Sequence, residues 1–161
     1  MRLTIQKHLP FNAFIASLVS KKQFGKILLP VKTIYAITPA ILTAAFALLK
    51  AQRKLTLRVE YQHLVRVLAA SLNECPFCLD VNLFEAKRAG TDTHKLISIR
   101  NYQNNILFST AEKAMLAYCE QVTFTKSCTA ICFAGLRQFF TEKQIVEITW
   151  LNAMENYFNM Q

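Results

Sequence analysis

Cys75 and Cys78 stand three positions apart in "SLNECPFCLD", residues 71–80, with Pro76 between them. Two thiols at that spacing can cycle between dithiol and disulfide, supply half of a zinc site, or lie inert in a core. Proline suits the first turn of a helix, where its missing N–H costs nothing, so the pair reads as opening a helix. There, unsatisfied backbone N–H groups and the helix dipole stabilise a thiolate and lower its pKa. The i, i+3 spacing puts both sulfurs on one helix face, close enough to cross-link. One turn further along that face comes Asn82, and Glu85 follows.

A closed zinc site needs four ligands, and Cys128 with Cys132 could supply the second pair. These two, however, read as an i, i+4 pair inside an apolar helix over 127–140, whereas zinc knuckles sit on turns rich in glycine and polar residues. The redox use is favoured, and neither metal nor cofactor is expected. Cys119, Cys128 and Cys132 lie in apolar helical runs and read as buried small hydrophobes. Five cysteines, an odd number in a chain with no credible secretory signal, argue against a structural disulfide framework.

The elements that must hold the pair are helical throughout. Residues 11–22 and 39–52 each carry an apolar face. Over 56–72, "TLRVEYQHLVRVLAASL", Val59, Leu64, Val67 and Leu68 recur at helical spacing until Asn73 breaks the pattern. The cysteine helix runs to about Arg88, and Gly90 stands where a left-handed C-cap belongs. "STAE" at 109–112 and "TEKQ" at 141–144 are capping boxes that open further helices. No segment alternates with period two, so the class is all-α. The 161 residues suit one domain, with a basic helical region over 1–55 and a core over 56–158.

With 53% hydrophobic and 18% charged residues the chain is apolar for a soluble monomer, which predicts a homo-oligomer. Gly 3 and Pro 4 are counts too low for a β-sandwich or a Gly-rich phosphate loop. Every acidic residue lies at Glu60 or later, so the first 59 residues carry +10 of the net +9, and the remainder −1. The basic residues are scattered, without the arginine clusters or interleaved aromatics of a nucleic-acid groove, and read as a solvated face. Residues 9–19 lack a clean cleavage site. Residues 33–49, uncharged but mildly apolar and holding Pro39, fall short of a bilayer span and read as a buried helix beginning near Pro39. A cytoplasmic protein without a transmembrane segment is expected.

"LVRVLAASLNECPFCLDVNLFEAKRAG", followed by "FSTAEKAMLAYCEQV" and "FTEKQIVEITWLNAMENYF", resembles the carboxymuconolactone decarboxylase superfamily, in particular its alkylhydroperoxidase D-like branch. The resemblance covers about 56–158. It implies a helical bundle that assembles into trimers or multiples of them, and a cysteine pair that reduces peroxides or exchanges disulfides with a thiol reductant or a partner peroxidase. By position, Cys78 resembles the cysteine attacked by peroxide and Cys75 the one that resolves the sulfenic acid. Two places depart from the family pattern. Its usual histidine one turn past the second cysteine is here Asn82, and its glutamate on the preceding helix is here His63. Asparagine cannot exchange a proton near neutral pH, whereas histidine can. Either the base has moved to His63, or His63 is a satisfied structural histidine and the relay is broken. His8 and His94 read as surface residues. The competing functions are a non-catalytic redox-sensing or interaction module and lactone decarboxylation. The latter is disfavoured because that branch does not depend on a cysteine pair.

Overall fold

The computed structural model describes residues 3–161. Among them are ten α-helices, one 3-10 segment and no strand, and they divide into two compact units. One runs to Lys54 and takes in Gln161; the other is Leu55–Met160.

The first unit contains α1 (Phe11–Phe24), the single turns α2 (Leu29–Lys32) and α3 (Ile34–Ile37), and α4 (Pro39–Gln52). The inner face of α1 is made of small residues, Ala13, Ala16, Ser17 and Ser20. Its large apolar residues Phe11, Phe14, Ile15, Leu18 and Val19 point outward. The Ser20 hydroxyl ties down the following turn, donating to the Lys26 carbonyl at 2.9 Å and accepting from the Leu28 N–H at 2.8 Å. The uncharged segment 33–49 does not form one helix, because α3 ends at Thr38 and α4 restarts at Pro39. The expected helix therefore begins where proline places it, but it is not a buried one. Only Leu42 and Ala45 of α4 are buried. No helix among the described residues is long and apolar enough to cross a membrane.

The second unit holds α5 (Val59–Leu72), α6 (Pro76–Arg88), α7 (Thr93–Ile97), the 3-10 segment Ile99–Asn104, α8 (Thr110–Thr125), α9 (Ala130–Arg137) and α10 (Glu142–Asn159). At its centre α5 packs against α6, α8 and α10. Leu64, Val65, Val67, Leu68, Ala69 and Ala70 are almost wholly removed from solvent, and each larger side chain so buried stabilises the fold by about 2 kcal/mol. The start of α5 is pinned from a distance. The buried Glu147 of α10 accepts from the N–H of Thr56 at 3.0 Å and of Leu57 at 2.7 Å, and from the Thr56 hydroxyl at 3.0 Å.

Both capping boxes form as their sequences require. Ser109 and Glu112 exchange hydrogen bonds at the start of α8, and Thr141 and Gln144 do so at the start of α10. Gly90 takes φ +77° just past α6. The helix expected over 127–140 is much shorter. Lys126 closes α8 in the left-handed region at φ 61°, and the Thr129 hydroxyl accepts from the Cys132 N–H to start α9 only at Ala130. Cys128 thus lies outside any helix and does not form a helical i, i+4 pair with Cys132. Both are half-buried, and of the three free thiols only that of Cys119 is fully buried.

Candidate functional site

Between α5 and α6 the chain reverses in three residues. Asn73 closes α5 by donating its side-chain amide to the Ala69 carbonyl at 2.9 Å. The same amide reaches the Asn156 and Asn159 side chains of α10, both at 2.9 Å. Glu74 then takes φ 51°, a left-handed conformation that a non-glycine residue adopts at a cost, and the Cys75 N–H bonds back to the Ala70 carbonyl at 3.0 Å.

That turn delivers Cys75 to the N-cap of α6, with Pro76 behind it, as the sequence predicts. The Cys75 sulfur accepts from the Cys78 N–H at 3.3 Å, so a sulfur takes the place a serine or aspartate oxygen usually fills at a helix start. A disulfide joins Cys75 to Cys78, with 5.3 Å between their Cα atoms. The two sulfurs differ in access. Cys75 is partly exposed, whereas Cys78 retains 7% of its surface and lies 3.8 Å from the Phe158 carbonyl in the last turn of α10.

The buried stripe of α6 is Cys78, Asn82 and Ala86, one residue per turn. A polar residue in that stripe must find partners, and Asn82 has them. Its amide N–H groups donate to Glu155 Oε1 at 2.7 Å and to the Arg66 carbonyl at 3.3 Å. Glu155 also accepts from Arg66 Nε at 3.2 Å and from the Asn159 amide at 3.1 Å, and Arg66 reaches Glu85 at 2.8 Å. Burial works against the charge on Arg66, but the carboxylates of Glu155 and Glu85 outweigh it and hold the guanidinium above its usual pKa. A closed ionic cluster therefore sits one helical turn below Cys78. Arg66 and Glu155 were not singled out from sequence. The signal for them was an arginine inside the apolar run "HLVRVLAA", since a charge in such a position has to be paired.

His63 is elsewhere. Its Nδ1 pairs with the Thr91 hydroxyl at 2.6 Å, beyond the end of α6. Arg66 of α5 lies level with Asn82 of α6; Cys78 is a turn to one side of that level and His63 about a turn to the other. At 1.5 Å per residue the two are separated by roughly 10 Å along the helices. The structure places Asn82 one turn below Cys78 on the same buried stripe, bonded to Glu155 and the Arg66 carbonyl, and places His63 about a turn further along. Burial, and then the nearby Arg66, push the imidazole pKa below its ordinary value, with Glu85 opposing. Cys119 lies deep between helices, and burial raises its thiol far above the reactive range.

No protein-family model matches the chain. An uncharacterised Bacillus subtilis protein, YdfG, is 20% identical over 127 residues, which is 78% of this chain and 86% of that protein. An uncharacterised peroxidase-related protein from Silicibacter superposes with a TM-score of 0.83 at 18% identity, covering 99% of this chain and 85% of the other. A protein of unknown function from Agrobacterium tumefaciens, put forward as the antioxidant defence protein AhpD, gives 0.75 at 23% identity over 78% of this chain and 88% of its own. The debrominase Bmp8, solved with 2,3,4-tribromopyrrole, gives 0.78 at 16% identity over 91% and 79%. With helices alone, and a Cys75–Cys78 pair opening α6, the chain has the fold of the alkylhydroperoxidase D-like, peroxidase-related proteins.

Proposed function

We propose that the protein is a thiol-dependent antioxidant enzyme, reducing hydroperoxides or exchanging disulfides through Cys75 and Cys78. One observation carries this reading: the pair is bonded at a helix N-terminus, with Cys75 partly exposed and Cys78 buried one turn from a charged cluster. The helix start favours a thiolate at either position. In the reaction, the Cys78 thiolate attacks one peroxide oxygen; the O–O bond breaks and the alkoxide leaves with a proton as alcohol. The Cys75 thiol then displaces hydroxide from the sulfenic acid, forming the disulfide and water. An external dithiol restores the pair by attacking the accessible Cys75 sulfur, so access favours this assignment of roles. The fold's likeness to proteins described as peroxidase-related and as antioxidant defence supports the reaction class. Its likeness to a debrominase shows that the fold alone does not choose the acceptor.

Purified protein with a dithiol should consume hydrogen peroxide or an organic hydroperoxide, and lose two free thiols per chain when the dithiol is withheld. Cys75→Ser and Cys78→Ser should each abolish turnover. Turnover that persists in Cys78→Ser, or thiols that survive peroxide, would overturn the reading.

A second reading has its own support. Asn82 cannot carry a proton and His63 is about two turns from the pair, so neither of these two residues takes a proton from Cys78 directly. A pair that oxidises slowly and signals its state to a partner fits that arrangement. Oxidation of the thiols by peroxide without catalytic turnover would favour it.

A further inference from the structure

We propose that Glu155 is a positioning residue for the cysteine pair, holding Asn82 under Cys78 and, in balance with Arg66, setting the charge that the Cys78 sulfur faces. The inference rests on the cysteine pair being the working site, and it extends that site onto α10, which neither cysteine nor the helices flanking them in sequence would suggest.

Three features lead to it. Glu155 is buried, at 2% exposure, and its carboxylate is bonded to three side chains from three places: Arg66 of α5, Asn82 of α6 and Asn159 of its own helix. A carboxylate committed to that many partners is fixed in place, and it fixes them in turn. Asn82 donates both to Glu155 and to the Arg66 carbonyl, so its amide cannot turn over without leaving buried partners unpaired. Finally, one turn beyond Glu155, the Phe158 carbonyl meets the Cys78 sulfur, which sets the whole end of α10 against the pair.

In the reduced protein the Cys75 thiol titrates beside Cys78, and it is common to every variant compared; the other charged or titratable groups on the elements around Cys78 are less well placed to set its surroundings. Asp80 on α6 and Glu74 in the preceding turn are exposed, and solvent screens them. Tyr157 of α10 is 37% exposed. Glu85 acts through Arg66 and is partly solvated. His63 lies at the far side of the cluster, against Thr91. The buried pair Arg66–Glu155 is what remains. Glu155 opposes a thiolate at Cys78 and Arg66 favours one, so the two should have effects of opposite sign.

The test measures alkylation of Cys78 by iodoacetamide against pH, in reduced protein, with the modified cysteine identified by peptide mapping. Glu155→Gln keeps the shape and, with its amide oxygen toward Asn82 and Asn159, the acceptor for those two, while it removes the charge and the bond from Arg66 Nε; the alkylation midpoint should fall by about one pH unit. Arg66→Gln should raise it by a similar amount. If Glu155 were merely structural, both variants would lower the melting temperature and leave the midpoint unmoved. An unmoved midpoint, or shifts of the same sign, overturns the proposal. Should Arg66→Gln not fold, Glu155→Gln decides alone, with a downward shift supporting the proposal and any other result rejecting it. Alkylation needs no peroxide turnover. A protein that consumes no peroxide yet shows these shifts loses the peroxidase reading and keeps this one.

Discussion

At the scale of single residues, Asn82 decides how the site can work. It occupies the buried position one turn below Cys78, and Glu155 is already placed to accept a hydrogen bond from whatever stands there. Asn82→His would put an ionisable ring between that carboxylate and the cysteine, an acid–base group held in orientation by a third group. We expect this variant to oxidise its thiols with peroxide at least about tenfold faster than wild type, a conservative share of the roughly 10²-fold or more that a positioned acid–base group contributes. His63→Ala should change that rate by less than about threefold, because a ring roughly 10 Å away cannot exchange a proton with Cys78 directly. Stopped-flow measurement of thiol oxidation distinguishes the two; a large loss in His63→Ala would restore His63 as the base. The expectation that His63 could replace the family histidine arose from its place on the helix next to Cys78. That reasoning lacked the register between α5 and α6, which is set by packing and is not written locally.

The elements show which features can be read from nearby residues and which cannot. Capping boxes, the proline at the start of α6 and the glycine after it involve neighbours in sequence, and all stand where their residue types require. The supports made by distant residues were not legible. Glu147 is an unremarkable acid in "TEKQIVEITW", yet it satisfies the N–H groups ahead of α5 from 90 residues away. Those bonds hold its carboxyl below the usual range against the opposing effect of burial. A carboxyl lowered by folding stabilises the protein above its unfolded pKa, and that contribution is lost as pH falls through the folded value. His63, also lowered, adds a loss beginning higher, as pH drops below about 6.5, where the unfolded chain takes up a proton that the buried ring resists. Stability should therefore decline in two stages on acidification. Urea denaturation across pH should show Glu147→Gln less stable at pH 7 by about 2 kcal/mol, the value of hydrogen bonds to a charged group, and with a shallower decline below the ordinary carboxylate range. The turn before Cys75 gives a change of opposite sign. Glu74→Gly relieves the left-handed strain and should raise stability by about 1 kcal/mol, and no gain would mean that the Glu74 side chain contributes as much as its backbone costs.

For the whole molecule, the outward face of α1 needs an occupant. Phe11 is 77% exposed and Leu18 51%, with Phe14, Ile15 and Val19 beside them, a run of large apolar residues that a soluble chain seldom leaves in water. Charge distribution limits how copies can meet over it. The first 59 residues hold ten basic side chains and no acidic one, so a symmetric contact pairing α1 with α1 would bring like charges together. A head-to-tail contact, with the basic segment of one copy against the later, acid-containing segment of the next, avoids that repulsion. Contacts of this kind close into rings when the rotation permits. The charge pattern thus favours a ring of copies, and the resemblance sets the expectation of three chains or a multiple of three. Light scattering at micromolar concentration should give three chain masses or a multiple. Placing charge on the stripe by Phe14→Glu with Leu18→Glu should lower that mass toward one chain, with the helical circular dichroism retained because neither side chain is in the core. A wild type that runs as a monomer, or a double variant whose mass is unchanged, would remove α1 from the interface and leave its exposed face to a different partner.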